Sequence, residues 1–293
     1  MPSGSTLAQR RGPFLVPARS LLLAAGLIAI SLGVVNLFHE RHLKEVDSVY
    51  VVVAAAIGAV WLASLVLAFR GVKIALVLTA AIAFLEFGLI SSSHFVAGAG
   101  AMSIYVTREG LSMAPILMAL MSTCLLTFMT AIVCWTHPAG RLKRIRTLPF
   151  LLSSLVGSIL VILYATDSVR RDDFGTANPE DGTFAATVSA TFWLFGGLWI
   201  GRVRKTGALL IGLGTFMATF SFTALHLIKG GRTLGDIAAK TGWGWAILAG
   251  AMAVLACLSL LLAVSILLAT ILRRRGTAAA VTSPGSLRRS GRA

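Results

Sequence analysis

Carboxylates are scarce in this sequence. Only 11 Asp and Glu stand among 293 residues, and charged residues of both signs make up 13% of the chain, too few to clothe a soluble domain of this size. The three cysteines, Cys124, Cys134 and Cys257, lie inside or at the ends of apolar runs. They offer no extracytoplasmic disulfide framework and read as small apolar packing residues. Of the eight prolines, Pro17, Pro115 and Pro149 sit where a helix would start, and none interrupts an apolar run. That argues against the broken helices through which many secondary transporters hold their substrate. A phosphate-binding glycine loop, a zinc-type cysteine pattern and a pair of catalytic carboxylates are also missing, so nothing marks the chain as an enzyme.

What the sequence has instead is apolar length. Hydrophobic residues make up 57% of it, in runs that reach the roughly 20 residues a helix needs to cross a ~30 Å hydrocarbon core. The short alternating segments of a membrane barrel are absent, and helices satisfy their own backbone hydrogen bonds in lipid, so the expected fold is all-α and polytopic. Eight transmembrane helices are predicted, over about 18–38, 48–69, 72–94, 112–135, 147–166, 183–201, 206–228 and 244–272. Although Arg10, Arg11 and Arg19 precede the first run, its length and the lack of a cleavage pattern distinguish it from a signal peptide.

Orientation follows from charge. The N-terminal tail, the second, fourth and sixth connections with their flanking helix ends, and the C-terminal tail hold 18 of the 26 Lys and Arg and no carboxylate. Because basic segments resist translocation, this side is cytoplasmic, which places both termini inside. The net charge of +15 is therefore explained by topology, with no nucleic-acid partner implied. The partner is the lipid bilayer, with anionic lipid against the basic cytoplasmic connections and the tail, where Arg273, Arg274 and Arg275 stand beside the membrane. Residues 276–293 mix Ser, Pro, Gly and Arg without periodicity and are expected to be disordered. Abundant Ala, Leu, Gly and Arg point to a high-GC bacterium, hence to the bacterial inner membrane as the cell membrane concerned.

A shift of 132 residues superposes the second, third and fourth runs on the sixth, seventh and eighth. Trp61 meets Trp193, Arg70 meets Arg202, Lys73 meets Lys205, Phe84 meets Phe216, His94 meets His226, and Gly98 meets Gly230. The expected plan is thus a cytoplasmic tail over 1–17, a first four-helix half over 18–146, a second over 147–272 and a basic tail over 273–293. Four helices per unit make the repeats parallel, related about an axis along the membrane normal. This 4+4 plan resembles haem A synthase in outline. That family keeps its haem-ligating histidines on even-numbered helices, whereas His94 and His226 fall on the third and seventh, so membership does not follow.

Few residues could carry chemistry. His94 and His226 each lie 21 residues beyond a basic residue, Lys73 or Lys205, which lifts both imidazoles about 31 Å to the outer boundary. Facing each other, they would clamp the iron of a haem b or another transition metal. His39 and His42, three positions apart at the outer end of the first helix, are further candidate metal ligands, and only His137 is cytoplasmic. Glu86 is the one acid placed inside a predicted span; burying its charge is costly, which makes it the candidate proton or substrate site. Its counterpart under the shift is Ala218. Ser91, Ser92 and Ser93 lack the second acid a hydrolytic triad needs, and Asp172, Asp173, Glu180 and Asp181 read as a hydrated acidic loop. These features support three functions: small-solute or lipid-associated transport with Glu86 as its site, an outer-face haem- or metal-binding redox protein using His94 and His226, or a non-catalytic subunit whose protein partner carries the activity.

Overall fold

A computed structural model of the chain describes residues 18–43, 46–96, 101–109, 113–136, 148–174, 179–201, 203–228 and 233–281. Among these residues there is helix and no strand. The long helices are α1 (Ala18–His42), α2 (Ser48–Phe69), α3 (Lys73–His94), α5 (Met113–Thr136), α6 (Leu148–Arg171), α7 (Pro179–Trp199), α8 (Arg204–Thr223) and α10 (Trp243–Val281). Two helices of eight residues, α4 (Met102–Glu109) and α9 (Leu234–Thr241), lie in connections read from sequence as loops, and α8 runs on into a π-helical turn, Ala224–Ile228. Seven of the long helices are apolar and long enough to cross a membrane, so the chain is a multi-pass integral membrane protein. The exception is α7, at 21 residues long enough but more polar than the rest.

Three expectations need correction at the helix ends. The fifth helix continues beyond 166 to Arg171, so Asp167 lies within it and Glu86 is no longer the one acid in a span. Asp167 is tolerated there because Arg171, one turn on, shares its face and pairs with it. The last helix continues to Val281, six residues into the segment expected to be disordered, since the Ala-rich stretch at 278–280 has high helix propensity. His137 and the Gly98–Gly230 match lie outside the described residues.

Contacts divide the chain into two compact units. Unit 1 joins the residues up to Ser93 with Ala119–Leu148, and unit 2 joins His94–Met118 with the residues from Pro149 onward. In unit 1, α1 meets α2 where Gly26 leaves room for Leu65, whose side chain would lie 2.5 Å from a Cβ at that position. A hydroxyl pair, Ser64 and Thr79, joins α2 to α3 at 2.9 Å, and Phe84 of α3 packs on Phe128 of α5 with ring centroids 5.1 Å apart. Gly71 turns the chain between α2 and α3 at φ +100°, beneath the Arg19 guanidinium.

Unit 2 is packed more closely. Its largest fully buried side chain is Trp193 of α7, whose ring lies over Gly157 of α6. The backbones of α7 and α8 nearly touch: a Cβ on Gly196 would come 2.6 Å from the Ile211 nitrogen, and one on Gly214 2.5 Å from the Ser189 carbonyl oxygen. Small residues of this kind permit close helix approach where lipid supplies no hydrophobic drive. Buried hydroxyls reinforce the contact, with Ser189 donating to the Gly214 carbonyl at 2.6 Å and Ser158 to the Ala190 carbonyl at 2.7 Å.

Candidate functional site in unit 2

The two matched histidines both fall in unit 2 and both are buried, each beside a tyrosine. His94, at the last turn of α3, meets the Tyr105 ring of α4 edge-on at 5.1 Å, and the Arg108 guanidinium lies 5.0 Å from the centre of the same ring. His226 lies in the π-helical turn after α8. Its Nε2 is hydrogen-bonded to the Tyr164 hydroxyl of α6, and Phe222 packs on its ring at 4.7 Å. Which atom donates depends on the imidazole tautomer. An iron or other metal at that nitrogen would have to displace the tyrosine hydroxyl. The π turn widens the helix locally and turns His226 toward α6; such turns recur at functional sites.

One and two turns above Tyr164, α6 carries a buried ion cluster. The Arg171 guanidinium donates to Asp167 Oδ2 at 2.7 Å, to Asp173, and to the Ser168 hydroxyl at 3.2 Å. Thr241, ending α9, adds a long contact to Asp167 at 3.4 Å. One guanidinium thus faces two carboxylates, and the cluster is formally anionic. Beside it, Ser103 at the start of α4 donates its backbone N–H to Glu180 Oε1 at 3.1 Å, and its hydroxyl bonds the same oxygen. Asp173 and Glu180 are each 3% exposed, so the hydrated acidic loop expected from sequence holds for Asp172 and Asp181 and fails for these two. Paired donors from Arg171 and Ser103 replace the water they would otherwise need.

Between α6, α7, α8 and α10 lies a cavity of about 260 Å³. Its wall is mostly apolar and includes Tyr164, Phe174, Phe220 and Met252, with Asp181 its one charged residue. Phe220 is 62% exposed and stacks on Phe216, so the cavity borders the apolar outside surface of the unit.

The remaining candidates lie elsewhere. Glu86 is half-buried on α3 in unit 1, with no hydrogen bond or ion pair among the described residues. His39 is half-buried and His42 exposed at the end of α1, where Asn36 donates to Glu40 at 2.8 Å. Among the described residues no three His, Cys, Asp or Glu side chains gather as a metal ion would require. Ser91 and Ser92 spend their hydroxyls on carbonyls one turn back in their own helix, as packing serines do. Sequence reasoning missed Tyr164, Asp167 and Arg171. Two signals pointed to them: the Asp167–Arg171 spacing of one helical turn, and the rarity of tyrosine, since two of only three in the chain meet the matched histidines.

No protein-family model matches this chain, and no curated protein and no solved structure matches it either.

Proposed function

We propose that this integral membrane protein serves small-solute or lipid-associated transport, with its binding station in the cavity of unit 2 and Glu86 as a proton site in unit 1. The observation that carries the reading is the cavity itself: lined by four helices, mostly apolar, open beside exposed Phe220 and backed by the Tyr164–His226 hydrogen bond. A membrane-soluble solute would enter it from lipid, and the phenol–imidazole pair can pass or hold a proton at its wall.

The reading includes eight spans with both termini cytoplasmic, α7 being the eighth, in two parallel halves. Element boundaries support the duplication. Moved by 132 residues, α4 falls on 234–241, the span of α9; α3 falls on 205–226, which α8 and its π turn cover; and α2 falls on 180–201, against Pro179–Trp199 for α7. Burial supports it too. Ala75 and Gly207, Leu76 and Ala208, Ile82 and Gly214, Ile90 and Phe222, and His94 and His226 are buried in both copies, while Phe84 and Phe216 are exposed in both. The Ser64–Thr79 contact between α2 and α3 recurs as Gly196–Ile211 between α7 and α8. Under this topology, the cavity occupies the outer third of the membrane.

Two measurements test the reading. Neopentylbenzene, a neutral apolar probe, is expected to bind the full-length protein in nanodiscs, and Ala185→Trp, which fills the cavity, is expected to abolish that binding; retained binding would place the probe elsewhere. In proteoliposomes containing pyranine, Glu86→Gln is expected to lower protein-dependent proton entry, and unchanged entry would remove Glu86 from the mechanism.

A further inference from the structure

Building on the reading of this cavity as a binding station, we propose that its ligand is a lipophilic organic cation, an amine or quaternary ammonium on an apolar body. Three aromatic side chains, Tyr164, Phe174 and Phe220, contribute to the wall, together with the Asp181 carboxylate and no lysine or arginine. Aromatic faces carry negative potential and attract cations, and an aromatic wall with a carboxylate at its edge, here the exposed Asp181, suits an ammonium group.

The surroundings carry the same sign. Over residues 167–181 the sequence places five carboxylates, Asp167, Asp172, Asp173, Glu180 and Asp181, against only Arg170 and Arg171. Arg171 is already engaged with Asp167, Asp173 and Ser168, so it is not offered to a ligand. An anion in the cavity would find no positive partner in the wall. Asp181 also stands in the first turn of α7, where the helix dipole stabilises a carboxylate without any ligand. The dipole does not explain why that carboxylate shares a wall with three aromatic side chains. Gly182 contributes to this arrangement: a Cβ there would lie 2.2 Å from the Phe174 ring, so only glycine lets Phe174 settle against the first turn of α7, next to Asp181. Of the two wall serines, Ser189 is committed to the Gly214 carbonyl, so the polar groups the wall offers a ligand are the Asp181 carboxylate and the Ser221 hydroxyl beside the aromatic side chains. Entry from the membrane suits an amphiphilic cation, since exposed Phe220 borders the cavity and stacks on exposed Phe216.

The test compares benzyltrimethylammonium with neopentylbenzene, the same shape with carbon in place of the charged nitrogen, on the full-length protein in zwitterionic nanodiscs. Binding is read by calorimetry or saturation-transfer NMR. The cation is expected to bind about tenfold more tightly than its neutral isostere, the sum of modest aromatic and carboxylate attractions. Asp181→Asn is expected to weaken the cation by about threefold to tenfold and leave the isostere unchanged, with Phe174→Leu acting in the same direction. Equal binding of the two probes, or an Asp181→Asn variant that binds the cation as well as the native protein, would overturn the cation proposal and leave the cavity reading standing. Failure of both probes to bind would overturn the two together.

Discussion

Helices α2 and α7 occupy the same place in the 132-residue register yet solve opposite problems. Of the 22 residues of α2, four are buried, Trp61, Ser64, Leu65 and Ala68, all in its second half. Eleven of the 21 residues of α7 are buried, among them Glu180, Thr183, Thr187, Ser189 and Thr191. An exposed membrane helix must be apolar because lipid offers its side chains no hydrogen bonds, whereas a helix sheathed in protein can be polar if its groups are satisfied. In α7 the hydroxyls are: Thr183, Thr187 and Thr191, spaced four apart, each donate to a carbonyl one turn back at 2.8 to 2.9 Å, and Ser189 reaches α8. Apolarity therefore tracks contact with lipid, and α7, sheathed in protein, falls short of the apolarity that marks the other seven long helices.

The comparison can be broken most severely at its polar end. Arg171→Met would strand Asp167 and Asp173 in the interior of unit 2, a loss of about 3–5 kcal/mol for a broken buried pair. Thermal unfolding in detergent should move down by roughly 10 °C, given about 2–4 °C per kcal/mol at this size. Arg41→Met, at an exposed position near the end of α1, should leave the midpoint within a degree or two; equal shifts in the two variants would mean the cluster is not buried as described.

A smaller effect separates the glycines of the two helices. Gly196→Ala drives a Cβ into the α8 backbone and should cost about 1–3 kcal/mol through overpacking. Gly58→Ala on α2 meets nothing within 4 Å and should be neutral or stabilising by up to about 1 kcal/mol through helix propensity. If both variants melt alike, α7 is no more tightly held than α2.

The smallest effect lies in α9. Thr233 caps that helix in a reciprocal box with Asp236: the Thr233 N–H and hydroxyl donate to the Asp236 carboxylate at 2.6 and 2.9 Å. These bonds hold the carboxyl below its ordinary value. A depressed folded pKa stabilises the cap fully above the unfolded value of about 3.9, and the contribution is lost as pH falls through the folded one. An NMR titration of Thr233→Ala should show Asp236 moving up toward the ordinary value; an unmoved titration would mean the box does not form in solution.

Much of this was legible in the sequence, and the parts that were not have physical reasons. Long apolar runs declared the helices because lipid exposure demands them, eight being read as spans where seven are apolar enough to cross, and the matched histidines were visible because histidine is rare in such runs. The lengths of α1 and α6 were underread, since a helix extending past the hydrocarbon ends in charge, as Arg170 and Arg171 do, and charge looks like a loop. The short helices α4 and α9 were missed because eight residues carry little periodic signal; their stability comes from tertiary contacts such as fully buried Ile237 and Tyr105. Burial of Asp173 and Glu180 was invisible because their partners, Arg171 and Ser103, are brought to them by the fold. The cavity was invisible for the same reason, its wall being drawn from four helices.

The central claim is that α7 crosses the membrane as the eighth helix, in register with α2. It is tested most directly by single cysteines at its two ends, Asp181→Cys and Arg204→Cys, in a chain whose Cys124, Cys134 and Cys257 are replaced, labelled in intact cells with a membrane-impermeant maleimide. Both positions are exposed. The account predicts that the cysteine at 181 labels from outside and the cysteine at 204 only after the membrane is opened. Labelling of both from the same side would contradict it.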